Sequence, residues 1–152
     1  MENPIIFIVI FSCFLLGISF LYDYFIELIE SKFGVEIVYN NRIDHKTLPY
    51  KLILSCFLAP LIETYFFQKA PYDILKRRNS KKWVIILVSS LLFGLIHFSS
   101  FAYILYGFLA GTVLIMAYLC WEGRRLNKFV IVCIIHMLHN LFVLCGDLIN
   151  LK

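Results

Sequence analysis

Five long apolar segments dominate this sequence and restrict what it can fold into. They run over about residues 4–22, 48–68, 83–101, 102–121 and 129–149. A membrane-spanning helix needs about 20 predominantly apolar residues, and a backbone inside a bilayer must satisfy its own hydrogen bonds. The chain is 61% hydrophobic, against about 45–50% for a typical soluble domain. We therefore predict an all-α, polytopic membrane helix bundle with about five transmembrane helices.

A polar connector separates the first apolar segment from the other four. Residues 23–32 are amphipathic, so they either extend the first helix or lie on the membrane interface. Residues 34–47 are polar, and His45 among them has no apolar context and is interpreted as a solvated residue. We expect an N-terminal transmembrane helix with its connector over residues 1–47 and a helical core over residues 48–152.

The connections inside the core are distinctive. Residues 69–82 are basic but contain apolar positions, which predicts a short interfacial helix. Only a few residues around Ser99 and Ser100 separate the third and fourth segments, so these two should form a tight hairpin. The fourth segment contains Gly107-x-x-x-Gly111, a pattern that lets helix backbones approach closely. We expect the pattern to serve close packing within the bundle, with a contact between two copies of the chain as the alternative.

The basic residues predict an orientation. Nine lysines and arginines fall in residues 69–82 and 122–128, and five lie elsewhere in the chain. Because cytoplasmic loops carry an excess of basic residues, we expect a cytoplasmic N-terminus and an extracytoplasmic C-terminus. The net charge of +4 suits contact with anionic lipid in the bilayer. The basic residues form no stripe, which argues against nucleic acid as a partner.

A few polar residues stand inside these apolar segments. One of them is the acidic residue Glu63, and a charged group there costs roughly 3 kcal/mol or more on insertion scales. His97 follows Phe93 by four residues, and Asn140 follows His136 by four, so each pair shares one face of a helix. These residues form the candidate site.

Three chemistries are open to such a set. A buried carboxylate with histidine can activate water, while a His/Asn pair donates to an oxyanion. Glu63, His97 and His136 also form an accepted His₂Glu zinc ligand set, although the HExxH signature is absent. Acidic residues and histidines in spans also build proton or ion paths, although transporters often show internal repeats and this chain shows none.

In their order along the chain, these residues resemble the CPBP family of intramembrane proteases, the CAAX-protease and bacteriocin-processing group also called Abi. The family pattern is Glu-Glu-x-x-x-Arg on one helix, Phe-x-x-x-His on the next and His-x-x-x-Asn/Asp two helices later. Phe93 with His97 and His136 with Asn140 match in full, and residues 106–111 are similar to a glycine-rich family helix. The resemblance covers about residues 55–142.

The resemblance implies a glutamate-type endopeptidase that cleaves a membrane-embedded or lipidated peptide in a bacterial plasma membrane. By resemblance, Glu63 and His97 activate water, and His136 and Asn140 stabilise the oxyanion. Phe93 would support the site. No cofactor is expected, with zinc as the alternative.

The first motif departs from the family, because Thr64 replaces the second glutamate and Gln68 replaces the arginine. These two lie one turn apart, so a hydrogen bond between them is expected to replace the ion pair. The departure keeps two other functions open: a weak or inactive relative that binds a membrane peptide or confers immunity, and a proton-coupled carrier.

Two geometric expectations follow from the motifs. Glu63, His97, His136 and Asn140 should converge around a water-sized cavity, with His139 at its margin or facing a neighbouring helix. Counted from the starts of their spans, however, His97 and His136 differ in depth by about 10 Å at about 1.5 Å per residue.

Overall fold

The computed structural model describes residues 3–37, 46–124 and 126–150, and His45 lies outside them. Five helices and no strand form within these residues. They are α1 (Pro4–Phe33), α2 (Leu48–Arg77), α3 (Lys82–Leu95), α4 (Phe101–Cys120) and α5 (Lys128–Asn150). The prediction of an all-α membrane bundle is confirmed.

Four helices, α1, α2, α4 and α5, are long and apolar enough to cross a membrane. The third predicted span, over residues 83–101, is wrong in length because α3 has 14 residues and ends at Leu95. The reason lies in the next helix: Ser100 caps α4 by accepting a hydrogen bond from the Tyr103 N–H at 3.1 Å. An N-cap residue needs an extended backbone, so the chain must leave the helix before it.

Helix α1 is longer than the first apolar segment, with 30 residues. The side chain of Asn3 begins it by accepting hydrogen bonds from the N–H groups of Ile5 and Ile6. Gly34, at φ +65°, ends it in a left-handed conformation that glycine adopts without strain. The amphipathic residues 23–32 therefore extend the first helix.

Helix α2 runs unbroken from Leu48 to Arg77. The prediction of a short helix within residues 69–82 holds for Ala70–Arg77, but these residues continue α2. The helix continues past Pro60 and Pro71 through two wider π-helical stretches, Leu52–Leu58 and Thr64–Lys69, each just before a proline. A proline ring clashes with the carbonyl four residues earlier, and a wider turn separates the two groups.

The bundle has an apolar outside and polar groups within. Large apolar side chains of the long helices, such as Phe20, Ile53 and Phe142, are more than half exposed. The buried polar residues are Ser12, Ser19, Thr64, Gln68, Ser89, Ser90, His136 and His139. This arrangement suits a lipid environment, which leaves an apolar surface stable and penalises exposed polar groups.

Candidate active site

One cavity of about 350 Å³ lies within the bundle, and all four candidate residues line it. Glu63 comes from α2, His97 from the turn after α3, and His136 and Asn140 from α5. The expectation of a water-sized cavity is wrong, because a water molecule occupies only about 30 Å³. Gly107 and Ala110 of α4 and Ala59 of α2 line the cavity, and their small side chains leave room in it.

Glu63 and His136 are the closest pair of the site. The Oε2 atom of Glu63 lies 3.6 Å from Nε2 of His136. On its other side, the His136 ring places Nδ1 3.4 Å from the Thr64 hydroxyl oxygen. His136 is therefore held between two neighbouring residues of α2, the carboxylate of Glu63 and the hydroxyl of Thr64.

His97 turns back toward the helix that precedes it. Its Nδ1 lies 2.7 Å from the carbonyl oxygen of Phe93. A carbonyl oxygen can only accept, so Nδ1 carries the hydrogen, and Nε2 of the neutral ring is left as an acceptor. The Phe93 ring packs on His97 and on His136, with centroids 5.0 Å and 5.5 Å apart. Both histidines thus contact the same phenylalanine ring, despite their different positions along the spans.

Asn140 bonds to the backbone of α2. Its amide nitrogen donates to the Ser55 carbonyl oxygen at 2.8 Å. In the π register, where the Ala59 N–H pairs with Leu54, the Ser55 carbonyl would pair with the nitrogen of Pro60, which has no hydrogen. The proline therefore leaves the Ser55 carbonyl without a partner in its own helix. Asn140 donates to this carbonyl, and the hydrogen bond joins α5 to α2.

Thr64 and Gln68 do not form the expected hydrogen bond. Both residues are fully buried, but neither polar atom of the Gln68 amide has a partner in the part of the chain that the structure describes. The Thr64 hydroxyl lies instead beside His136. Thr64 points to the site, and Gln68, one turn further on, does not reach it.

A second polar group lies on the cavity wall around His139, which lines the cavity and also contacts neighbouring helices; its partners Ser19 and Tyr106 were not predicted from the sequence. Nε2 of His139 lies 2.8 Å from the Tyr106 hydroxyl and 3.1 Å from that of Ser19. The two hydroxyl oxygens are 2.9 Å apart. His139 and Tyr106 line the cavity, whereas Ser19 belongs to α1. Ser12 and Ser19 lie seven residues apart on one face of an apolar helix, and this spacing could have indicated that the face meets polar groups inside the bundle.

The structure gathers no ligand set for a metal ion. Within residues 3–37, 46–124 and 126–150, no group of three His, Cys, Asp or Glu side chains could hold one. Glu63, His97 and His136 share the cavity wall without meeting at a common point. The zinc alternative has no preformed site in these residues.

The glycines of α4 bring α3 and α4 together, as expected from their spacing. A Cβ on Gly111 would lie 2.8 Å from Cβ of Phe93, and one on Gly94 would lie 2.8 Å from the Ile104 carbonyl oxygen. A Cβ on Gly107 would lie 2.9 Å from Nδ1 of His97. Close packing within the bundle is confirmed, and it holds the side of the cavity that carries His97.

Replacing Gly107 by alanine should therefore push the His97 imidazole out of position. A misplacement of about 1 Å costs on the order of 10²-fold in rate, so a reaction that depends on His97 should slow by about that factor. Gly17→Ala is the matched control, because nothing lies within 4 Å of a Cβ there. Unchanged turnover in the Gly107→Ala protein would contradict the prediction that this contact fixes the position of His97.

Comparison with known proteins gives one match. The model of a family described as type II CAAX prenyl endopeptidase Rce1-like matches residues 45–142, which is more than half of the chain. The matched residues include Glu63, His97, His136 and Asn140, and exclude α1. No curated protein and no solved structure matches the chain.

Proposed function

Because the chain belongs to the family of type II CAAX prenyl endopeptidase Rce1-like proteins, we propose that it hydrolyses a peptide bond in a lipidated or membrane-embedded peptide, with Glu63 as general base. The observation that carries this proposal is the Glu63–His136 approach of 3.6 Å on the wall of the shared cavity. A carboxylate and an imidazole at this distance, in a space that admits a ligand, suit acid–base chemistry on a peptide carbonyl.

Each residue has a place in the proposed reaction. Glu63 takes a proton from water while the water oxygen bonds to the peptide carbonyl carbon, and the Nε2 lone pair of His97 helps to orient that water. The Thr64 hydroxyl donates to Nδ1 of His136, so the ring hydrogen sits on Nε2 and stabilises the oxyanion. Asn140 has a second amide hydrogen for the same oxygen. The C–N bond then breaks, and the leaving nitrogen takes the proton from Glu63.

The cavity supports a peptide substrate more than a single ion. At about 350 Å³, its volume falls in the range of ligand pockets, about 300–1,000 Å³. Its lining combines polar groups with apolar side chains such as Leu15, Leu54 and Leu114. Within this proposal, a CAAX-type prenylated peptide is the first substrate class and a bacteriocin-type membrane peptide the second.

The proposal is tested with purified, detergent-solubilised protein. A prenylated peptide that ends in a CAAX sequence and a hydrophobic bacteriocin-type peptide are each incubated with wild type and with the Glu63→Gln variant. Fragments are identified by mass spectrometry. Fragments produced by wild type alone support the proposal, while intact peptides in both samples would favour a non-catalytic relative that binds a peptide.

Hydrolysis should survive metal chelators. The proposed chemistry needs a carboxylate and hydrogen-bond donors, and Asn140 is a poor zinc ligand but a good donor to an oxyanion. The measurement is the initial rate before and after dialysis against a chelator. Loss of activity with recovery on addition of zinc would favour the His₂Glu site.

The C-terminus should lie outside the cytoplasm. This orientation requires that α3 also crosses the membrane, although it has 14 residues, because residues 69–82 and 122–128, with nine basic residues against five elsewhere, then lie on one side. A C-terminal reporter that is active only in the cytoplasm should stay silent, and the same reporter at the N-terminus should be active. A bright C-terminal fusion would reverse the proposed orientation in the plasma membrane.

A further inference from the structure

The Ser19–Tyr106–His139 network contacts the cavity at His139 and Tyr106, and its hydrogens can be assigned by counting. The Ser19 hydroxyl donates to the Leu15 carbonyl at 3.0 Å, so its oxygen is an acceptor in its other contacts. The hydrogen bond at 2.9 Å between the hydroxyls is therefore donated by Tyr106. The oxygen of Tyr106 then accepts from Nε2 of His139.

This assignment requires a hydrogen on Nε2 of His139. Without it, the two hydroxyl hydrogens would have to serve four close contacts. Ser19 makes three of them, with the Leu15 carbonyl, the Tyr106 hydroxyl and the His139 ring, and Tyr106 makes the fourth with the same ring. With it, one ring N–H points to both hydroxyl oxygens and every contact is satisfied. In the neutral imidazole, the other nitrogen, Nδ1, is then an acceptor.

Nδ1 of His139 is the unsatisfied atom of this network. Nδ1 is inaccessible to water and has no hydrogen-bond partner among the described residues, while the residue itself lines the cavity. A donor in the cavity therefore reaches Nδ1 only when the side chains that cover it move. A buried acceptor without a partner is unfavourable, and native proteins contain few of them. A group that brings a donor into the cavity would remove this cost.

We propose that Nδ1 of His139 accepts a hydrogen bond from a backbone N–H of the peptide substrate, and that Ser19 and Tyr106 are positioning residues that hold the imidazole in the required tautomer. The inference rests on the proposed function, since a peptide supplies the donor. It also makes α1 part of the substrate site, although the family match begins after α1.

The test measures binding, so that it does not depend on turnover. The Glu63→Gln protein is titrated with a prenylated CAAX-type peptide and with a series of analogues, each of which has one backbone N–H replaced by an ester oxygen. One ester should weaken binding by about tenfold, the size of one good hydrogen bond. The same ester should cost nothing when His139 is also changed to phenylalanine.

Two outcomes would overturn the inference. Equal ester costs with and without His139→Phe would show that His139 does not bind the backbone, and absence of peptide binding would remove the site. The proposed function fails differently, through equal hydrolysis by wild type and the Glu63→Gln variant. The two failures are therefore distinguishable.

The positioning role has its own readout. In the wild-type background, Ser19→Ala should raise KM several-fold with little change in kcat, and Ser19→Thr should restore KM because it keeps the hydroxyl. Ser12→Ala is the matched control, because Ser12 is also buried in α1 but its hydroxyl has no partner among the described residues. A Ser19→Ala protein with lower thermal stability and unchanged KM would show a structural role alone.

Discussion

Replacing Glu63 by glutamine should lower the rate of peptide hydrolysis by about 10²–10⁴-fold, the usual cost of losing a general base. Glutamine keeps the shape of the side chain and its hydrogen bonding, but an amide cannot take a proton from water. Peptide affinity should change little because the apolar walls of the cavity remain. The measurement is kcat from single-turnover kinetics, with Kd from a parallel titration.

Glu27→Gln is the control for this experiment. Glu27 lies on α1 and is exposed, whereas Glu63 is partly buried on the cavity wall. The same chemical change at Glu27 should leave the rate unaltered. Equal rates in wild type and the Glu63→Gln protein would mean that the carboxylate of Glu63 is not the general base.

Changing Gln68 to arginine alone should destabilise the protein by about 3–5 kcal/mol, the range measured when a buried charge lacks its partner. Gln68 is fully buried, and its amide has no partner in the described residues. Adding Thr64→Glu supplies the carboxylate of the family pattern one turn away, so the double variant should recover most of that loss. Thermal unfolding in detergent measures both.

The control at this position is Gln68→Met, which has similar volume and no polar group. It removes the unsatisfied amide and should raise stability by about 1–3 kcal/mol. The double variant should hydrolyse peptide more slowly than wild type, because Thr64→Glu removes the hydroxyl that lies 3.4 Å from Nδ1 of His136. A double variant as unstable as Gln68→Arg alone would show that α2 cannot form this ion pair.

The sequence predicted the number of helices and the residues of the site better than it predicted helix ends. Glu63, His97, His136 and Asn140 could be found because polar residues in apolar segments are costly and therefore informative. The end of α3 at Leu95 could not, since the apolar pattern continues past it and the cap at Ser100 decides the boundary. The continuation of α2 past Pro71 was missed because π-helical turns leave no mark in the periodicity.

The spacing of residues along the sequence also could not predict which polar side chains contact each other. Thr64 and Gln68 are correctly one turn apart, but a shared face does not decide which neighbour each side chain meets. Thr64 meets His136 on a distant helix. Likewise, a serine in α1 gave no indication that it would reach Tyr106 and His139, because contacts between helices depend on their packing.

The hydrogen bond from Asn140 to the Ser55 carbonyl makes the residues at positions 60 and 140 depend on each other. The backbone of α2 accepts that amide because position 60 carries proline. An alanine at position 60 would supply an N–H that donates to the Ser55 carbonyl within α2. The amide of Asn140 would then need another acceptor. The residues at positions 60 and 140 should therefore covary in relatives of this chain, even though their side chains need not touch.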